Sequence, residues 1–346
     1  MKFPKRLTTA TVAVMVAIAL GATACSGRSS GSGSSLTVYN GQHEQTTNAL
    51  VTAFEKESGI HVQVQVRNDD ENVLANQIIT EGGASPADVI YTENSPALET
   101  LQNKHLLAAV APATLAAVPS KYNSPQGDWV GVSARVSELV YNTDLLKPDQ
   151  LPHSVMDLAG PQWKGKLALA QGETDFQPIV TSIVASYGVD ATTKWLTAIK
   201  SNAANNIYPN NETLTDQVNK GHATIGIINA YYWYRGRAER GAASTHSAVA
   251  TFSPGDAGYI VDVSGAGILA SSSHKAAAQQ FLAFLVGAQG QEIIAHGDSY
   301  EYPIGSGVTT AQPLTPLGSL QPAPLTIAQL GDGSTAISLL QKAQLA

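Results

Sequence analysis

Leu36-Thr37-Val38-Tyr39-Asn40-Gly41-Gln42-His43 reads as a short strand running into a turn. Thr46 to Glu57 follows as a helix with Ala49, Leu50, Ala53 and Phe54 along one side, stopped by Ser58-Gly59. His61 to Val66 alternates as a second strand, with Val62, Val64 and Val66 on one face. Val73 to Glu81 is helical and ends at Gly82-Gly83. Ala87 to Tyr91 makes a third strand. After the turn Thr92-Glu93-Asn94-Ser95 comes a helix from Pro96 to Asn103, with Pro near its first position and Ser95 or Asn94 available as cap. This β–α–β–α rhythm predicts an α/β protein with a mostly parallel sheet and helices on both faces.

The pattern continues outward. Trp129 to Tyr141 is one long extended run, read as a strand crossing between two lobes. Lys166 to Ala170 is a strand, and Gly172-Glu173-Thr174-Asp175 turns into helices over Phe176–Tyr187 and about Ala191–Lys200. Asn210-Asn211-Glu212-Thr213 opens the next helix. The apolar run Ala223 to Ile228 leads through Asn229-Ala230-Tyr231-Tyr232-Trp233 into a helix ending near Arg240. Gly258 to Leu269 reads as a return crossing, followed by helices over Ala276–Val286 and Gln289–Ala295. Residues 311–325 hold four prolines and form a connection, and Ile327 to Gln344 reads as terminal helix. A body of about 310 residues suits two α/β lobes better than one core. We divide them as 36–134 with 259–312, and 135–258 with 313–346.

The N-terminus is of another kind. Lys2, Lys5 and Arg6 precede an apolar stretch from about Thr11 to Ala22, too short to span a membrane, which reads as a signal segment over residues 1–24. Ala22-Thr23-Ala24 before Cys25 resembles a lipobox, and Cys25 is the only cysteine of the chain, so lipidation accounts for it better than redox or metal chemistry. Residues 25–35 are then a Gly/Ser tether with a reach of roughly 17–19 Å. The precursor carries a net charge of -7; without the three basic charges of residues 1–24 the remainder stands at -10, which argues against nucleic acid as a partner.

His43, Glu93 and the pair Tyr231-Tyr232 each lie just past the carboxyl end of a strand and before a helix, the crevice where open α/β sheets bind ligands. Glu173-Thr174-Asp175 is a fourth such turn. Each residue alone has a bland reading: a solvated histidine, an acid favouring a helix dipole, an aromatic cluster packing a surface, an N-cap aspartate. Together, one imidazole, one carboxylate and two phenols make a hard donor set. Zn²⁺ prefers His and Cys, and Ca²⁺ prefers carboxylates and carbonyls. Two phenolates suit Fe³⁺ best, since a free phenol titrates near 10 and only a strong cation holds both ionised at neutral pH.

Leu36 to His43, Ser85-Pro86-Ala87-Asp88-Val89-Ile90-Tyr91-Thr92-Glu93 and Ile228 to Trp233, with Ser264-Gly265-Ala266-Gly267 and Glu301-Tyr302-Pro303, resemble the periplasmic ferric-ion-binding proteins of bacterial iron ABC transporters. The resemblance implies the type II periplasmic-binding-protein fold, two α/β lobes joined by crossing strands with a ligand cleft between them. It implies Fe³⁺ held by His43, Glu93, Tyr231 and Tyr232, and delivery to a membrane permease. The expected molecule is a monomer, lipid-anchored to the outer face of the cytoplasmic membrane and not an enzyme. Asn211 and Asn229 match positions that help hold a synergistic phosphate in some family members. Those members have a Ser-Gly-Ala loop where this chain has Glu173-Thr174-Asp175, whose carboxylates would repel phosphate and compete for the helix N–H groups. Asp175, or else Glu173, is therefore expected to replace the anion, with carbonate or water as the alternative. A same-fold receptor for a phosphonate, sugar or polyamine is the second reading. An exported hydrolase is remote, since His-Glu-x-x-His does not occur and Gly27-Arg28-Ser29-Ser30-Gly31 falls in the Gly/Ser tether with no strand before it.

Overall fold

Strand pairing shows how the chain is laid out. The computed structural model describes residues 35–66, 70–305 and 307–346. The signal segment, Cys25 and the tether as far as Ser34 lie outside the described residues. Ser35, assigned to the tether from its composition, is instead the first residue of a strand.

In chain order the first elements are β1 (Ser35–Gly41), α1 (Glu44–Ser58), β2 (His61–Val66), α2 (Glu71–Glu81), β3 (Val89–Thr92), α3 (Ser95–Asn103), β4 (Leu107–Ala108), α4 (Pro112–Ala116) and β5 (Trp129–Asn142). Next come β6 (Leu167–Ala170), α5 (Phe176–Ala203), β7 (Ile207–Tyr208), α6 (Asn211–Asn219), β8 (Ile225–Asn229), α7 (Ala230–Arg240) and β9 (Ser247–Ala250). The chain closes with β10 (Val261–Leu269), α8 (Lys275–Val286), α9 (Ala288–His296), β11 (Tyr302–Pro303), α10 (Ile327–Leu330) and α11 (Ser334–Ala343).

β1 pairs in parallel with β2 and β3, and β6 in parallel with β7 and β8, as the β–α–β rhythm predicts. The junction between these two halves is antiparallel, because the chain passes along it once in each direction on β5 and β10. Residues 129–136 of β5 pair with β10, and residues 137–141 pair with β8, so one strand belongs to both halves. The order is β2-β1-β3-β10-β5-β8-β6-β7, with β9 and β11 also on β5 and β4 on β10.

β5 explains its own position. Val130, Val132, Ala134 and Val136 alternate with Gly131, Ser133, Arg135 and Ser137, yet every residue of the strand is buried. A buried polar row survives only if each group is partnered. Ser133 donates to Glu301 and shares a hydrogen bond with Ser264, and Ser137 donates to the Gly258 carbonyl.

Three expectations are corrected locally. The two helices after Asp175 run on without a loop as α5, broken only at Gly188, whose φ of 82° is left-handed. The terminal helix is split at 331–333 into α10 and α11, where Gly331 and Gly333 both have positive φ. Asn94 stands at the N-cap position of α3 but its side chain does not cap. Asp262 of β10 does so from across the sheet, accepting from the Ser95 hydroxyl at 2.7 Å and the Ser95 N–H at 3.4 Å. Among the described residues no helix is long and apolar enough to cross a membrane.

Glu138, on the second half of β5, is buried close enough to Tyr234, Tyr259 and Tyr302 for its charge to be felt there. Burial pushes its carboxyl from 4.5 up to about 7. The folded state therefore holds this proton more tightly than the unfolded chain. The cost of ionising it is absent below about pH 4.5, grows on the way up, and is complete above about pH 7. Glu138→Gln should stabilise the protein by roughly 2–3 kcal/mol at pH 8.5 and by close to nothing at pH 4.5, read from urea unfolding at both values.

Candidate metal centre

The turns after β1, β3 and β8 meet between the two halves. His43 precedes α1 with an extended backbone (φ -46°, ψ 127°), which turns its ring inward. Gly41 before it must lack a side chain, because a Cβ there would lie 2.9 Å from Cγ of Glu71. Glu93 follows β3 directly. Tyr231 and Tyr232 lie in the first turn of α7, one step later than a bend between strand and helix. Their rings still lie side by side, with centroids 4.2 Å apart and planes inclined at 35°. The His43 ring stands edge-on to both, at 5.1 Å from Tyr231 and 6.3 Å from Tyr232.

Among the described residues the hydrogen bonds leave His43 Nε2, Asn94 Oδ1 and Arg135 Nε of this centre over. His43 Nδ1 pairs with Glu93 Oε1 at 2.9 Å, while His43 Nε2 is buried with no partner among the described residues. Glu93 Oε2 accepts from Arg135 Nη1 at 2.9 Å and from the Tyr231 hydroxyl at 3.3 Å. Asp175 does not cap α5. Its carboxylate turns into the centre, where Oδ1 accepts from Asn94 Nδ2 (3.0 Å) and Arg135 Nη1 (3.3 Å), and Oδ2 from the Tyr231 hydroxyl (3.1 Å) and Asn211 Nδ2 (3.3 Å). The expected competition for the α5 N–H groups is thus not what the loop does. Glu173 accepts from the backbone N–H of Asn211, at the start of α6. Thr174 Oγ1 lies 3.4 Å from Asn94 Nδ2. Asn229 lines a cavity of about 10 Å³ behind Asp175 together with Glu173 and Asn211, room for one water at most.

Several residues that hold this centre carried no role in the sequence reading. Arg135, from β5, reaches Glu93 and Asp175 through Nη1 and Glu301 through Nη2, with its Cζ 5.1 Å from the centre of the Tyr231 ring. Glu301 also accepts from Gln42 and Ser133. Glu71, at the start of α2, passes Gly41 and accepts from the backbone and side-chain N–H groups of Asn94 at 2.7 and 3.1 Å, fixing the residue next to Glu93. The lone basic residue of the crossing strand was the available signal, since a buried guanidinium must find carboxylates.

Negative charge is in excess here. Glu71, Glu93, Asp175 and Glu301 surround one guanidinium and one imidazole, and all are buried or nearly so. Burial, then the charge of Glu93, push the Glu71 carboxyl well above its ordinary range. Burial also works against ionised Glu93, but His43 and Arg135 outweigh it and hold Glu93 at about 2. For His43, burial opposes the imidazolium and Glu93 more than compensates, so its pKa is raised. Burial, and next the charge of Asp175, raise both phenols well above 10. Both are protonated without a cation, and only a highly charged one would displace their protons. Among the described residues no three His, Cys, Asp or Glu side chains are grouped to hold a metal.

This architecture, two half-sheets sharing crossing strands with polar groups converging between them, is that of a two-lobed solute-binding protein. The chain belongs to the family described as bacterial extracellular solute-binding protein, matched over residues 84–322. It is 39% identical over 310 residues to the Fe(3+)-binding periplasmic protein of Serratia marcescens, covering 90% of each chain. It is 33% identical to the major ferric iron-binding protein of Neisseria meningitidis serogroup B, covering 89% of this chain and 92% of that one. The structure of iron-bound HitA from Pseudomonas aeruginosa superposes with a TM-score of 0.85 at 39% identity, over 90% of this chain and all of that one. The fold is accordingly the type II solute-binding fold.

Removing the guanidinium while keeping its bulk would leave three buried carboxylates without their counter-charge. Arg135→Met should destabilise the metal-free protein by about 3–5 kcal/mol at pH 7, measured by urea unfolding.

Proposed function

We propose that this protein is the substrate-binding component of an iron ABC importer, which captures ferric ion between its lobes and hands it to a membrane permease. The observation that carries this is the buried, unpartnered Nε2 of His43, lying beside Glu93 and two phenols that no weak cation would ionise. In this reading His43 Nε2, a Glu93 oxygen and the oxygens of Tyr231 and Tyr232 bind the ion. The lobes comprise 36–134 with 259–312 and 135–258 with 313–346, and they close by a hinge on β5 and β10, driven by coordination available only when shut.

Asp175 takes the place of the synergistic anion. Support comes from its inward carboxylate and from the cavity of about 10 Å³ behind it, too small for phosphate or carbonate, beside Asn211 and Asn229. Glu93, Asp175 and two phenolates bring four negative charges to a trivalent ion, with the guanidinium of Arg135 against both carboxylates. Glu173 is held at the start of α6, which makes it the weaker candidate. The protein acts as a monomeric carrier with no catalytic role. Cys25 carries the lipid that anchors it to the outer face of the cytoplasmic membrane, consistent with its place after a small-residue stretch.

Ferric ion added to the mature protein should produce a visible tyrosinate-to-iron band. Tyr231→Phe should weaken that band and lower affinity by at least about a hundred-fold. A colourless wild-type mixture would leave only a receptor for some other small solute. Affinity should fall with acid, because two raised phenol protons and that of His43 must leave before the ion is bound.

Asp175→Ala should weaken ferric binding and make it respond to added phosphate, whereas the wild type should ignore phosphate. Iron titrations of both proteins with and without phosphate separate the cases. Unchanged affinity in the variant, with phosphate tightening the wild type, would return the anion to the site.

A further inference from the structure

Tyr300 stands apart among the described residues other than glycine that have positive φ. His105, Ala204 and Gln344 lie at or just past the ends of α3, α5 and α11, where a left-handed residue is the ordinary way to stop a helix. Tyr300, with φ 54°, lies four residues beyond α9, between Ser299 and Glu301. A bulky side chain seldom adopts this conformation unless its surroundings impose it.

Those surroundings are visible on both sides. Glu301 is fully buried and held by Arg135, Gln42 and Ser133, and Tyr302 pairs with Ala134 of β5. The Glu301 N–H also points at Ser299 Oγ, at 3.4 Å. With the carboxylate of Glu301 turned to the floor of the centre, the left-handed step sends the Tyr300 ring the other way. It stacks on Tyr234, with centroids 5.9 Å apart and planes inclined at 15°. Tyr234 is three residues after Tyr231 on α7, hence on the same side of that helix. The ring joins the apolar cluster of Val140, Leu214, Ile228 and the Tyr231–Trp233 turn, and it is the one member of that cluster that follows β10 in the chain.

We propose that Tyr300 is a positioning residue for the phenol ligands. Its ring, aimed by the strained backbone next to Glu301, bears on Tyr234 and sets how far the first turn of α7 stands from His43 and Glu93. The stack thereby links the half that carries His43 and Glu93 to the helix that carries Tyr231 and Tyr232, without touching the ion. This role rests on the ferric reading above.

The test is the rate at which bound Fe³⁺ passes to excess EDTA, with the visible band and thermal melting followed on the same samples. Tyr300→Ala should release iron about three- to ten-fold faster, the range expected for one aromatic pair, and should shift the band maximum. Tyr300→Phe should restore the wild-type rate and band. Tyr300→Gly, which relieves the backbone but lacks the ring, should be as fast as the alanine variant. Tyr234→Leu, approaching the stack from its other side, should match them even if a Tyr300 variant fails to fold. Wild-type release and an unshifted band in Tyr300→Ala or Tyr234→Leu would overturn the proposal, as would a phenylalanine variant as fast as alanine. A wild-type protein that takes up no coloured iron would sink the ferric reading and this role with it. Coloured wild type with an unaffected variant would sink this role alone.

Discussion

The guanidinium of Arg135 is the constraint on which the centre depends. It rises from the one strand that both halves share, and its nitrogens reach carboxylates from three distant parts of the chain: Glu93, Asp175 and Glu301. A buried charge without such partners costs several kcal/mol. β5 can therefore carry an arginine only where those turns converge, and the turns can bring their carboxylates together only because the arginine is there. The rest of the polar floor follows from this. Ser133 and Gln42 orient Glu301, and Asn94 and Asn211 orient Asp175. Glu71, behind Asn94, requires the glycine of the Asn-Gly-Gln-His turn.

In the ferric reading proposed above, that floor also gives the phenols their part. Carboxylates already engaged by Arg135 and His43 are shared donors, each oxygen of Glu93 having a partner. The phenols bring the opposite property: burial and neighbouring carboxylates keep their protons on until something stronger arrives. A divalent ion gains less from displacing two such protons than a trivalent one, so in the proposed site selectivity would lie in the phenols' reluctance to ionise as much as in geometry.

Much of this was legible in the chain. The β–α–β rhythm of residues 36–103, the long extended run 129–141 and the strand before Tyr231 all appear with ends shifted by a few residues, because period and turn residues are local signals. The convergence of His43, Glu93 and Tyr231-Tyr232 was also legible, since the carboxyl ends of neighbouring strands share a crevice. Long-range pairing was not. Asp262 capping α3, Glu301 holding Arg135 and Glu71 holding Asn94 join residues 167, 166 and 23 positions apart. No window of sequence contains both partners. Asp175 was ambiguous for a related reason: an aspartate before a helix looks the same whether its carboxylate folds back onto the helix or points away, and only the donors opposite it decide.

Those donors lie on both halves, which would tie the proposed chemistry to lobe closure. Asn94 and Asn211 approach Asp175 from opposite sides, and the Tyr231 hydroxyl bonds Asp175 and Glu93 at once. In the proposed lobe division the Asn94–Asp175 and Tyr231–Glu93 bonds cross between the halves, whereas Asn211–Asp175 and Tyr231–Asp175 lie within one, so a closed arrangement has two favourable bonds of its own before any cation is counted. A cation that replaces the phenolic protons breaks the hydrogen bonds of Tyr231 and substitutes coordination to the same oxygen. In that reading the free energy gained on binding would be the difference between two closed states, not the whole value of the metal–ligand bonds. In the ferric reading proposed above, the charge of Asp175 raises the phenol pKa values that binding must overcome, while the steepness of binding with pH follows from the number of protons displaced.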